Sequence, residues 1–141
     1  MAITFSIQDL DFSLTEESKL RKWISKVISL RRKSVGIISY LFCNDNFVLR
    51  ANQSFLNHDT YTDIITFDYV KGDVIYGDIM ISVDRVRENA VAFNVPFEQE
   101  LKRVIIHGIL HLLGQGDKTD VEAMQMRNLE NEALELWKTM D

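Results

Sequence analysis

Residues 107–117 read HGILHLLGQGD. Two of the chain's three histidines, His107 and His111, stand four apart in a segment that is otherwise largely aliphatic. On a helix that spacing sets them about 40° apart in azimuth and about 6 Å apart along the axis, so both imidazoles project from one face. The helix that carries them follows Pro96, the single proline, which suits a first turn because its missing N–H costs nothing there. It ends near Leu113, since Gly114 suits the left-handed stop that closes many helices. Gly114 and Gly116 flank Gln115, and such a turn brings the chain back over the helix end, where Asp117 presents a carboxylate. Asp117 also fits the N-cap of a last helix from about Thr119 to Lys138, and Asp120 is the reserve for either role.

Outward from this stretch the pattern alternates strands and helices. VIYGDIMIS (74–82) and TDIITFDYV (62–70) are rich in β-branched and aromatic residues, and Lys71-Gly72-Asp73 between them makes a turn, so the pair predicts a hairpin. Ser82 or Asp84 opens a helix carrying Val86, Ala90 and Phe93. VGIISYLF (35–42) reads as a strand, and Asn44 or Asp45 caps a helix with Phe47, Val48, Ala51 and Phe55 on its inner face. ITFSIQ (3–8) alternates as a first strand. Ser13 and Glu16 have capping-box spacing, ahead of the helical stripe Leu20, Trp23, Ile24, Val27, Ile28 and Leu30. The order β-α-β-α-β-β-α-α-α predicts a single α+β domain over 1–141, with one mixed sheet of about four strands and about five helices packed on it.

Composition narrows the function classes. The 141 residues carry a net charge of −5, which argues against a general nucleic-acid binder. Yet every charge in KLRKWISKVISLRRK, from Lys19 to Lys33, is positive, so this helix either contacts phosphates or presents a solvated face. No apolar run approaches the roughly 18 residues of a membrane helix. MAITFSIQDLDF lacks a basic n-region followed by an apolar h-region, and Cys43 is the lone cysteine; both fit a reducing cytoplasm. With no histidine nearby in sequence, Cys43 reads as a buried strand-end hydrophobe and not as a nucleophile.

The histidine pair carries the chemistry. Two imidazoles buried without partners would cost a few kcal/mol. At i, i+4 they can instead reach one metal ion at about 2.0–2.1 Å from each nitrogen, with Asp117 as third ligand. The motif is not the HExxH of zinc proteases, because Gly108 stands where the general-base glutamate would be. Gly108 allows close approach of a neighbouring backbone instead.

HGILHLLGQGD resembles the HGxLHLxGxDH motif of the YbeY family, metal-dependent endoribonucleases linked to ribosomal RNA maturation and ribosome quality control. FLNHDTYTDIITF (55–67) is similar to the family's F-R-x-x-D-x-x-T-[DN]-V-L-S-F segment, and YGDIMIS (76–82) to its GD-containing strand. The acidic helix with Glu122, Ala123 and Glu130 follows as that resemblance leads one to expect, so the likeness covers roughly residues 40–135. There are two departures. The family's third histidine falls on Asp117 and the aspartate before it on Gly116, while the arginine after the phenylalanine is Leu56. An Asp117 carboxylate still binds zinc, but it lowers the site's net charge, acidifies a bound water less and makes manganese more competitive. If the arginine clamps a phosphate, His58 is the nearest candidate for a replacement cation, and it reads equally as an exposed loop histidine with no role.

The resemblance implies hydrolysis of single-stranded or flexible RNA, in ribosomal RNA or on the ribosome. His107, His111 and Asp117 would hold zinc or another divalent metal, and Asp78 is a candidate base, a partner of a ligand histidine or a plain strand-end carboxylate. Thr62 and Asp63, matching the family's T-[DN] pair, are expected to fix the strand and its loop. Two rival readings are a binding module with a structural metal and a metal-dependent amide hydrolase. A structural zinc usually has four protein ligands where three are evident here, and the missing HExxH glutamate lowers the second.

Overall fold

The computed structural model describes residues 2–8, 10–56 and 62–141, with the backbone alone at 55 and 56. Nine elements follow one another: β1 (Ile3–Ile7), α1 (Glu17–Leu30), β2 (Ser34–Cys43), α2 (Asp45–Leu56), β3 (Ile64–Asp68), β4 (Val74–Ser82), α3 (Val83–Phe93), α4 (Phe97–Leu112) and α5 (Asp120–Thr139). The strands form one mixed sheet in the order β1-β2-β4-β3. β1 and β4 run parallel to β2, and β3 pairs antiparallel with β4 as the predicted hairpin, Ile64 opposite Ile81 and Asp68 opposite Gly77. Gly72 turns that hairpin at φ 60°. The fold is α+β, four strands and five helices among the described residues, as the sequence order predicts.

Alternation along the strands decides what each face does. Ile38, Tyr40 and Phe42 of β2 and Ile75, Ile79 and Ile81 of β4 point to one face and are fully or almost fully buried. There they meet Trp23, Ile24 and Ile28 of α1 and Leu101, Ile105 and Ile109 of α4. On the opposite face α2 covers one end, through Val48 and Ala51 against Cys43 and Ile65. Two buried polar side chains lock the layers. The Tyr40 hydroxyl donates to the Ile105 carbonyl at 2.8 Å, tying β2 to α4, and Trp23 Nε1 donates to the Ala133 carbonyl at 2.7 Å, tying α1 to α5.

α4 lies close against the sheet because Gly108 has no side chain. A Cβ there would stand 3.0 Å from the Cδ1 atoms of both Ile64 and Ile79. The close neighbours are thus side chains of β3 and β4, and not the backbone that the sequence led one to expect.

Several local readings need correction. α1 starts at Glu17, with Glu16 in the left-handed region and no side-chain cap, so Ser13 and Glu16 form no capping box. Leu10, Phe12 and Leu14 pack at alternate positions on the core, which holds that segment out of the helix. The capping box belongs to Thr119 and Glu122, at the start of α5. Leu30 is 66% exposed and Phe93 is 55% exposed, so neither belongs to the inner stripe of its helix. Pro96 sits at the N-cap of α4, one residue ahead of the first turn. Asn44 and Ser82 do cap α2 and α3, each accepting a backbone N–H three residues on. No helix among the described residues is long and apolar enough to cross a membrane.

Candidate metal centre

α4 ends as its sequence predicts. After Leu112 the chain passes Leu113 and enters the left-handed region at Gly114, φ 97°. That turn folds Gln115 back, so its backbone N–H bonds the Leu110 carbonyl at 2.9 Å and its carbonyl faces His111. Asp117 is then set over the last turn of α4.

The two imidazoles are fixed by their outer nitrogens. His107 Nδ1 lies 2.6 Å from Glu130 Oε2, and His111 Nδ1 lies 2.9 Å from the Gln115 carbonyl oxygen. Both partners are acceptors, so in the neutral rings both Nδ1 atoms carry the proton and both Nε2 atoms carry a lone pair. Those lone pairs face the same oxygen: Asp117 Oδ2 is 3.3 Å from His107 Nε2 and 3.4 Å from His111 Nε2. Among the described residues these three form the one set of His, Cys, Asp and Glu side chains with donor atoms all within 4.8 Å of one another.

Three acceptors converging on one point suit a cation between them. Two ligands on a tetrahedral zinc at about 2.0–2.1 Å stand about 3.3–3.4 Å apart, the spacing found between Asp117 and each histidine. The donor set therefore fits a divalent metal with three protein ligands. The alternative role of Asp117 is filled by Thr119, whose hydroxyl accepts the Glu122 N–H at 3.1 Å. Asp120 lies in the first turn of α5 and does not join the cluster. Gly116 matches this arrangement, because a Cβ there would run into the Glu122 carboxylate, which is engaged in the capping box. A side chain at 116 would require the Glu122 carboxylate to shift.

A charged layer supports the cluster. Glu130 is buried, and its second oxygen accepts from Arg103 at 3.1 Å; Arg103 also reaches Asn131 at 3.1 Å and Glu100 at 3.7 Å. Glu100 is 3% exposed, and its Oε1 has no hydrogen-bond partner among the described residues. Its burial pushes its pKa upward, against the pull of Arg103. Asp63 is pushed up by burial as well, with His107 pulling it down, and it accepts from Asn89 at 3.2 Å. Its carbonyl bonds the Ser82 N–H at 2.9 Å, so Asp63 both extends the hairpin and turns a carboxylate toward the histidine helix.

Other candidates lie elsewhere. Asp78 is exposed on the face of β4 opposite the histidine helix, beside Ser39 and Phe67; neighbouring Gly77 and Ile79 point at α4 instead. It partners neither histidine, and Glu130 takes the orienting role considered for it. His58 lies outside the described residues, as does the side chain of Leu56. Cys43 is buried, and that burial first, with Asp84 second, pushes its thiol up to about 12, so no thiolate is available. Sequence reasoning gave Glu130 and Arg103 no role. One signal was present: Glu130 falls between Met126 and Ala133 on the buried stripe of α5, where a lone glutamate needs a partner.

An α+β fold whose histidine helix and returning aspartate form an open three-ligand centre defines a candidate metal-dependent hydrolase scaffold. The comparisons narrow that class. The family model for endoribonuclease YbeY matches residues 4–138. The chain is 54% identical to an endoribonuclease YbeY of Flavobacterium psychrophilum, over 92% of both chains. It is 58% identical to one of Porphyromonas gingivalis, over 80% of this chain and 75% of that one, and 44% identical to one of Bacteroides fragilis, over 98% and 99%. The solution structure of a Thermotoga maritima protein is similar at a TM-score of 0.66 and 26% identity, covering 97% of this chain and 92% of that chain. The chain belongs to the endoribonuclease YbeY family.

Proposed function

We propose that this chain is a metal-dependent endoribonuclease of single-stranded RNA, working in ribosomal RNA maturation and ribosome quality control in the cytoplasm. The residues 1–141 act as one domain, and zinc is the metal, with manganese the competitor that the Asp117 carboxylate favours. The observation that carries the reading is the convergence of two histidine lone pairs and Asp117 Oδ2 at 3.3 and 3.4 Å. Family membership names the substrate class.

A divalent cation bound there supplies Lewis acidity at a phosphoryl oxygen and acidifies a water. The chain's own residues do the rest. Glu130 and the Gln115 carbonyl hold both rings in the tautomer that offers Nε2. Arg103 sets a positive charge 3.1 Å from one oxygen of the buried Glu130, whose other oxygen holds His107 Nδ1.

Elemental mass spectrometry on protein purified without chelators tests the centre, with cleavage of a labelled RNA oligomer and of a peptide library measured alongside. The expected result is about one metal per chain, lost in His111→Ala and in Asp117→Ala, with RNA cut and peptides left intact. A wild type that takes up neither zinc nor manganese, or one that cuts peptides alone, overturns the reading.

A further inference from the structure

A groove of about 270 Å³ opens from the metal cluster, with His107 and Asp117 at one end. α4 supplies its floor and α3 and α5 supply its sides. Its charge is unusual for a site that must admit a polyanion. Asp63, Glu100, Asp117 and Glu130 line it against two cations, Arg103 and Arg127. Arg103 is committed, 14% exposed and bonded to Glu130 and Asn131. Arg127 is not: its side chain is 53% exposed and meets Glu130 only at 4.0 Å. Arg127 lines the groove, and its planar fork of donors suits a phosphate. In the same lining the last residue of α3, Phe93, leaves an aromatic side chain 55% exposed among residues that are otherwise mostly polar.

We infer that this groove is a nucleotide subsite: Arg127 takes a phosphate next to the one cleaved, and Phe93 stacks the unpaired base attached to it. The inference builds on the endoribonuclease reading and gives it a physical basis for single-strand preference. A paired base has its faces covered by neighbours in the helix, whereas a splayed base offers one to an aromatic ring. Without Arg127 the four carboxylates would repel the chain wherever the metal does not reach.

The test uses metal-loaded full-length protein and a fluorescent single-stranded 2′-O-methyl oligoribonucleotide, read by anisotropy across a salt series. Arg127→Gln is expected to weaken binding about tenfold and to flatten the log–log salt slope by about 0.7, the effect of one lost phosphate contact on a single strand. Arg127→Lys should recover most of the affinity. Phe93→Ala should weaken binding about 5- to 100-fold, while Phe93→Tyr binds as the wild type does. Metal content should be unchanged in all four. Unchanged affinity in either Arg127→Gln or Phe93→Ala overturns the subsite, even with RNA cleavage intact. Loss of metal in Arg127→Gln does so too, by making Arg127 a support for Glu130. A wild type that neither binds nor cuts RNA removes the endoribonuclease reading and this subsite together.

Discussion

Glu130 turns a core position into part of the metal centre. A carboxylate buried on α5 would be costly alone, but here it accepts from His107 on one oxygen and from Arg103 on the other. Replacing Glu130 by Gln keeps the shape and weakens the acceptor. The expected outcome is metal affinity about 10–100-fold lower, measured by competition with a chromophoric chelator, with the fold retained on circular dichroism. The same contact sets the pH response. Burial alone would lower the His107 pKa, but the Glu130 hydrogen bond, with the charges of Glu130, Asp117 and Asp63, raises it above the ordinary value. In the metal-free protein the raised pKa contributes stability that is fully present below the unfolded value of about 6.5 and is lost as the pH climbs through the higher folded value. Metal needs the proton gone. The rise in melting temperature on adding zinc should therefore be larger at about pH 8 than at about pH 6, and calorimetry in two buffers should register protons released on binding. An equal rise at both pH values would mean that His107 is not a ligand.

At the scale of elements, the centre is a helix end folded back on itself, and most of that unit was legible. The i, i+4 histidines, the glycine stop and the returning aspartate each follow from local rules: helix periodicity, the left-handed conformation at Gly114, and the few residues before Thr119 caps α5. What was not legible depended on packing between distant segments. Ser13–Glu16 and Thr119–Glu122 carry the same capping pattern, yet only the second forms the box, because Phe12 and Leu14 pack on the core and keep the first extended. Phe93 follows the helical stripe of Val86 and Ala90, but α3 ends there, and its side chain, more than half exposed, lines the groove. Asp78 shares a strand with core residues, and strand parity, once the buried face is known, sends it to the wrong side. The glycines give two element-scale predictions. Gly114→Ala must hold a Cβ at φ 97° and is expected to cost about 1–2 kcal/mol in urea denaturation, with weaker metal binding because the same turn aims Gln115 and Asp117. Gly108→Val pushes α4 off Ile64 and Ile79 and should cost about 1–3 kcal/mol or more. A Gly108→Val protein as stable as wild type would show that the sheet can yield there.

At the scale of the whole molecule, an acidic protein of net charge −5 has to attract a polyanion, and two of the places that hold its positive charge bear on that task. One is the groove, whose lining holds Arg127 along with the candidate metal ligands His107 and Asp117. The other is α1, whose Lys22 and Lys26 stand exposed one turn apart, and none of whose cations lines that groove. α1 packs on β2, α4 and α5, so its charges lie on a different flank from α3 and Phe93. Charges that do not touch the reacting segment can still raise the encounter rate and hold a long strand, and both effects are screened by salt. A short oligomer that fills only the groove should not sense them. Lys22→Gln with Lys26→Gln is therefore expected to lower kcat/KM severalfold on a long RNA at low salt and to leave a short oligomer unchanged. The log–log salt slope on the long RNA should flatten by about 1.4 if both lysines contact phosphates. An equal loss on both lengths would mean that α1 acts through the fold or the active site. No loss on either would make it a solvated face, and the groove alone would then have to overcome the protein's own charge.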